Sequence, residues 1–276
     1  MNRIVRVFRM FGTAISYLQF GWPAIPLLMY FVLKLCIIFL YVASGTKTPG
    51  GLWPLLARGM NAEAIGHYPE HLILMPVILG RLDIPLEILV LVVAQGATVL
   101  LVAGILRRER IGFGRSLEGT GRRYINLVIA AAAASAALYA WFRLSAAFLG
   151  RLAAFPYGLG ESVRTLVGLV LETFFLYAIP FILIERRTAL AAIRRSFAFA
   201  GRHFIESFLL VLVPFLLTVP TLLLSVNPRT IALQISPEFL VQVQVAGEVM
   251  QFIATYLLMG GLTIYFAETR IKEEDR

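Results

Sequence analysis

Residues 113–125 read FGRSLEGTGRRYI, and residues 193–205 read IRRSFAFAGRHFI. Arg115-Ser116, Gly121-Arg122 and Ile125 of the first stretch recur as Arg195-Ser196, Gly201-Arg202 and Ile205 of the second, 80 residues later. Each stretch also follows one apolar run and leads into another. An apolar span, a basic segment and a second span, met twice, predict an all-α polytopic membrane helical bundle with a weak internal repeat. The pattern speaks to architecture and orientation and names no reaction.

Composition agrees. Of 276 residues 59% are hydrophobic and 15% charged, against roughly 25% charged in a soluble domain, and the mean hydropathy is +0.81. The net charge of +9 would raise nucleic acid as a partner for a soluble chain. Here the arginines gather at span ends, so anionic lipid headgroups are the expected counter-charge and nucleic acid is not. The single cysteine, Cys36, leaves no intrachain disulfide and no cysteine-based metal site.

Six runs are long enough to cross roughly 30 Å of hydrocarbon at about 1.5 Å per residue. They lie near 24–44, 84–106, 125–148, 163–184, 205–226 and 245–267, within one integral membrane domain covering 1–276. A shorter run, His71–Gly80, contains Pro76 and is expected at the surface or as a re-entrant piece. Of the 25 Lys and Arg residues, 17 fall in the N-terminal tail, 107–124, 185–206 and the C-terminal tail, against six in the alternate loops. That asymmetry predicts both termini in the cytoplasm, most simply that of a bacterium with the bundle in its inner membrane.

The N-terminus lacks the short apolar core and cleavage site of a secretory signal. Ile4, Phe8, Phe11, Ile15 and Leu18 recur at helical spacing, with Arg3, Arg6 and Arg9 off that stripe. Residues 1–20 are therefore expected as an amphipathic helix lying in the membrane interface. The same leader, with no acid before Glu63, also resembles a mitochondrial presequence.

In 185–206, Leu190, Ile193, Phe197 and Phe204 form one stripe, with Arg194, Arg195 and Arg202 off it. Its counterpart 107–124 carries Arg115, Arg122 and Arg123 but four glycines, and is expected to be less helical. Each arginine near lipid phosphates contributes about 1 kcal/mol, so these six form a candidate headgroup or partner surface. Ordinary topology signalling explains the same residues.

Tyr177-x-x-Pro180-x4-Glu185, followed by Ala192-Ile193-Arg194-Arg195-Ser196 and Gly201, resembles the membrane domain attached to some bacterial glycerophosphodiester phosphodiesterases and its stand-alone six-span relatives. The resemblance implies a span ending at Pro180 and Glu185 and a surface helix leading into the next span. It makes Tyr177, Pro180, Glu185, Ser196 and Gly201 structural. Too few residues lie outside the spans to form the catalytic phosphodiesterase domain, so no catalytic residue comes with it.

Charges within hydrocarbon each cost about 2.5–3.5 kcal/mol at mid-helix and point most directly to function. Lys34 and Glu172 are central in the first and fourth spans, and a Lys34–Glu172 pair is the simplest compensation, either fixing helix register or relaying protons. Pro214 and Pro220 predict a bent fifth span beside a cavity or a small-residue face such as Ala130–Ser135. His67-Tyr68-Pro69-Glu70-His71 matches the H-x-x-E-H zinc-protease pattern. Pro69 would break the helix that chemistry needs, so neither a metal nor another cofactor is expected.

The expectation is a non-enzymatic membrane protein, a scaffold or accessory subunit in envelope or lipid-related work, with membrane-protein partners open. The alternative is a small transporter or channel-like protein built around Lys34 and Glu172.

Overall fold

The computed structural model describes residues 3–44, 68–109, 111–149, 157–225 and 227–274, and every element among them is helical. Helix α1 (Arg3–Tyr17) leads through two short 3-10 turns into α2 (Ile25–Ser44). Next come α3 (Glu70–Leu86), a π-helical turn (Glu87–Leu91) and α4 (Val92–Leu106), without interruption. The short α5 (Phe113–Gly121) precedes α6 (Tyr124–Leu149). Then α7 (Tyr157–Phe175), α8 (Ala178–Leu183) and α9 (Ala189–Arg202) precede α10 (Phe204–Ser225), the short α11 (Pro228–Gln234) and α12 (Phe239–Glu274). Six stretches are long and apolar enough to cross a membrane: Trp22–Ala43, Glu70–Leu106, Tyr124–Ala147, Ser162–Leu183, Phe204–Ser225 and Phe239–Ile271.

Helix α12 organises the bundle. Its 36 residues extend about 54 Å at 1.5 Å per residue, and it touches three apolar clusters in turn. Leu240 joins Ile38, Tyr41, Met75 and Ile78 at one end. Tyr256 joins Leu27, Tyr30, Leu91 and Ala94 in the middle. Met259, Leu262, Tyr265 and Phe266 join residues of α1, α4 and α7–α10 in the largest cluster, at the end where both termini lie. Burial of this kind is worth about 25 cal/mol per Å² of apolar surface removed from water. Within a bilayer the gain comes from side-chain fit instead.

One expectation is corrected here. The run 71–80 is neither a surface piece nor re-entrant: it opens α3, with Leu72, Met75, Ile78 and Leu79 buried against α2 and α12. Pro76 sits in the second turn of α3, where its missing N–H removes only one helical bond and a packed neighbour holds the helix on course.

The N-terminal helix packs along the C-terminal part of α12. Arg6 reaches Glu268 and Thr269, both at 3.4 Å, while the Tyr256 hydroxyl donates to the Ala14 carbonyl at 3.0 Å. Advancing along α1 means retreating by a similar length along α12, so the two helices run antiparallel. Val7, Met10, Phe11 and Ala14 are buried, whereas Ile4, Phe8, Ile15 and Leu18 of the expected stripe face outward. The helix is apolar on two sides, one packed on the bundle and one exposed, and periodicity alone does not tell them apart. Gly260 makes the approach possible, because an added Cβ there would stand 2.8 Å from Ala14 Cβ.

The two basic segments fold alike in several respects. Each preceding helix ends at an arginine in the left-handed region, Arg108 and Arg186, both at φ 56°. At Arg108 the next amide, that of Glu109, returns to the Gly104 carbonyl at 2.9 Å, a Schellman closure. At Arg186 the Arg187 amide returns to the Phe181 carbonyl at 3.1 Å. Extended Gly112 and Thr188 then start α5 and α9, whose Ser116 and Ser196 are buried. Helix α5 has nine residues against fourteen in α9, in keeping with its glycines.

Candidate functional site

Lys34 sits on α2 between the outer and middle apolar clusters. Its Nζ lies 2.8 Å from Asp83 Oδ1 on α3 and 2.7 Å from Glu248 Oε1 on α12. Gln244, one turn before Glu248 on α12, donates to the same carboxylate oxygen at 3.4 Å. A lone ammonium in hydrocarbon is costly; two carboxylates from two neighbouring helices supply the compensation and fix the register of all three.

This arrangement replaces the expected Lys34–Glu172 pair. Glu172 lies on α7, which packs on α6, α9 and α10, whereas α2 packs on α3, α4 and α12. Asp83 falls one residue before the expected second span, 84–106, and Glu248 lies at the start of the sixth, 245–267, so neither stands out in the sequence as an acid deep in hydrocarbon. Reading 71–106 as one helix would have exposed Asp83 as an acid in need of a cation.

Glu87 opens the π-helical turn one turn beyond Asp83. Pro85 has no N–H to offer the helix, and the extra residue of the turn takes up the mismatch. The loosened Leu89 carbonyl accepts the Tyr124 hydroxyl at 3.3 Å. Beside Lys34, Glu87 and Glu248 is a cavity of about 20 Å³, and beside Lys34 and Asp83 one of about 10 Å³. A single water needs roughly 10–15 Å³, while small-molecule sites occupy about 300–1,000 Å³. Each cavity therefore has room for about one water and is too small for an organic solute.

The larger spaces lie at the end that carries the termini. Glu185, just past α8, accepts from Arg195 Nη1 at 2.8 Å, lies 3.6 Å from Arg187 Nε, and is bonded by Arg270. The Arg270 guanidinium stands 5.5 Å from the Phe181 ring centroid and 5.8 Å from that of Phe266, a cation–π arrangement. These groups and Arg107 border a cavity of about 530 Å³. A second cavity of about 390 Å³ is bordered by Arg122, Arg123 and Arg186.

Of the six arginines singled out from sequence, Arg122, Arg123 and Arg195 thus border cavities, while Arg115, Arg194 and Arg202 lie exposed on α5 and α9. Arg107, Arg186, Arg187 and Arg270 were missed as site residues. The first three stand in basic segments already counted, but nothing local marks them as facing a cavity, and Arg270 is carried there by α12.

Tyr177, Pro180 and Ser196 are structural. Pro180 leaves the Leu176 carbonyl without its helical donor and forces the break between α7 and α8. Ser196 Oγ repairs the break from α9: it donates to the Phe174 carbonyl at 2.6 Å and accepts from the Tyr177 amide at 3.0 Å. The buried Tyr177 hydroxyl meets Ser207 Oγ at 2.8 Å. Asn126 of α6 accepts the Ala189 amide at 2.9 Å, capping α9 from another helix. Gly201 differs: an added Cβ there meets open space, so packing does not require a glycine.

His67 lies outside the described residues. His71 is buried with its carbonyl bonded by the Tyr41 hydroxyl at 2.7 Å, while Glu70 turns to Arg229 at 4.0 Å. No group of three metal-ligating side chains converges among the described residues. Pro214 and Pro220 both lie inside α10, which packs chiefly on α12, α7 and α1. Comparison with protein-family models, curated proteins and solved structures finds no match.

Proposed function

We propose that this chain is a non-enzymatic integral membrane protein, a scaffold or accessory subunit that works against anionic headgroups in envelope or lipid-related processes. The observation that carries this reading is the terminal end of the bundle, where seven arginines border two open cavities. The excess of Lys and Arg on the same side supports a bacterial inner membrane with that end in the cytoplasm. The shared left-handed arginines and buried serines support a duplicated span–segment–span unit. Ser196 repairing the break at Tyr177 supports reading the phosphodiesterase-like motif as architecture.

The test is reconstitution in bilayers of phosphatidylcholine with increasing phosphatidylglycerol, following the unfolding midpoint. Stabilisation that rises with anionic lipid and falls with added salt is expected. A midpoint indifferent to lipid charge overturns the reading. Maleimide labelling of single cysteines at 115 and 195 in sealed cells reports sidedness, and labelling from opposite faces overturns the orientation.

A second reading is a small transporter or channel-like protein, with Asp83 and Glu248 taking the place first given to Glu172. Its support is the Lys34 cluster beside a π-helical turn, a feature frequent at functional sites. Proton or cation flux into liposomes that Lys34→Met abolishes would favour it; its absence, with the small cavities at Lys34, favours the scaffold.

A further inference from the structure

We propose that the two cavities flanking residues 184–188 together hold one phospholipid that carries two phosphodiester groups. One phosphate lies among Arg107, Arg187, Arg195 and Arg270, the other among Arg122, Arg123 and Arg186. The proposal rests on the reading that this end meets anionic lipid, and it adds a defined site and a lipid class.

The linker divides the two spaces. Leu183 and Arg186 border the smaller cavity, while Ile184 and Arg187 border the larger. Arg186 and Arg187 are likewise consecutive and border opposite cavities, with Arg186 in the left-handed conformation, φ 56°, in which L residues are strained. Strain of this kind persists where surrounding structure enforces it, and it gathers at ligand sites. Helix α4 walls both cavities, with Leu100 on one side and Ala103, Leu106 and Arg107 on the other.

Charge is in excess in each. Among the described residues, four guanidiniums and the one carboxylate of Glu185 line the larger cavity. In the smaller, Arg122 pairs with Glu118 at 2.6 Å, which leaves Arg123 and Arg186 uncompensated by that carboxylate. Glu185 holds Arg195 and Arg270 in place before any ligand arrives, and the Phe181 and Phe266 rings orient Arg270 further. Pre-set planar guanidiniums match phosphate oxygens in pairs. The apolar walls from Leu100, Leu106, Leu183 and Phe266 suit glycerol carbons and the first methylenes of acyl chains.

A lipid with one phosphate fills one cavity and leaves the other set of guanidiniums facing water. A lipid with two meets both sets, and its second contact is intramolecular, with the high effective concentration that brings.

The test uses the purified full chain in neutral detergent, with lipid retention read by native mass spectrometry. Probes are tetraoleoyl diphosphatidylglycerol, dioleoyl phosphatidylglycerol at equal total charge, dioleoyl phosphatidylcholine and inorganic pyrophosphate. The two-phosphate lipid should be retained about tenfold more tightly than phosphatidylglycerol. Arg187→Gln and Arg122→Gln/Arg123→Gln should each reduce that preference to about twofold or less, and Arg115→Gln/Arg202→Gln should leave it intact. If Arg187→Gln fails to fold, the Arg122→Gln/Arg123→Gln protein alone decides. Equal retention of both anionic lipids per charge overturns the two-phosphate site and leaves the broader lipid reading standing. Pyrophosphate displacing the lipid at equal concentration overturns it in favour of a soluble phosphate. Indifference to every anionic lipid removes both.

Discussion

Lys34 Nζ lies 2.7 Å from Glu248 Oε1, joining the first long helix of the bundle to its last across more than 200 residues of sequence. With Asp83 at 2.8 Å on the other side, the ammonium is the hub of a three-helix junction. Removing it leaves the buried Glu248 carboxylate and the half-buried Asp83 carboxylate without their cation. Lys34→Met should therefore destabilise by about 3–5 kcal/mol, seen as a lower unfolding midpoint in bilayer nanodiscs. The triple variant Lys34→Met/Asp83→Asn/Glu248→Gln should recover most of that loss. Equal instability of the single and triple variants would deny the junction its electrostatic origin.

Gly260 and Gly201 should respond oppositely to alanine. At Gly260 the new methyl would stand 2.8 Å from Ala14 Cβ, and neither backbone has a flexible side chain to swing aside. Overpacking of this kind costs about 1–3 kcal/mol, and α1 should loosen, with faster proteolysis near its N-terminus. Gly201 is helical with open space around it, so Gly201→Ala should be neutral or stabilising by up to about 1 kcal/mol. Thermal unfolding of the two variants side by side checks both.

Ser196→Ala removes the group that serves both the Phe174 carbonyl and the Tyr177 amide. Each buried polar group left without a partner costs about 1–3 kcal/mol. Hydrogen exchange at the Tyr177 amide should accelerate sharply, whereas Ser116→Ala, which forfeits only the bond to the Phe113 carbonyl in its own helix, should change exchange little. Protection at Tyr177 equal to wild type would refute the repair.

Outside the spans, the Tyr68 hydroxyl donates to Glu238 Oε1 at 2.5 Å. That bond holds the Glu238 carboxyl below the usual carboxylate range. A lowered folded-state value means the contribution is full above the unfolded carboxylate value and disappears as pH falls through the folded one. Tyr68→Phe should thus be less stable than wild type near neutrality, with the gap closing on acidification. A gap that widens in acid would contradict the assignment.

The spans were legible because each is a run of apolar residues longer than any soluble helix needs, and the side on which the arginines gather follows from counting. The partners of Lys34 were not. Periodicity places a residue on a face of its own helix, yet which helices adjoin depends on how spans assemble, and Asp83 and Glu172 are equally plausible until neighbours are known. Helix α1 was legible as a helix, but which of its faces packs on protein was not. Phe8, which is exposed, and Phe11, which is buried against the bundle, look alike in sequence. The arginine cavities were half legible: Arg122, Arg123 and Arg195 stood out from their segments, while Arg270 reaches Glu185 only because α12 brings it there.

The contact between Arg6 and Glu268 also constrains the timing of assembly. The ribosome must pass residue 269 before α1 has its docking partner, so during translation the first helix waits with its buried face uncovered while five spans are threaded into the bilayer. Closure is then the last event, and it depends on contacts at the greatest separation the chain offers, the slowest kind to form. A mutation that weakens the tail of α12 should leave nascent chains open at their beginning, exposed to membrane proteases that enter from the N-terminus.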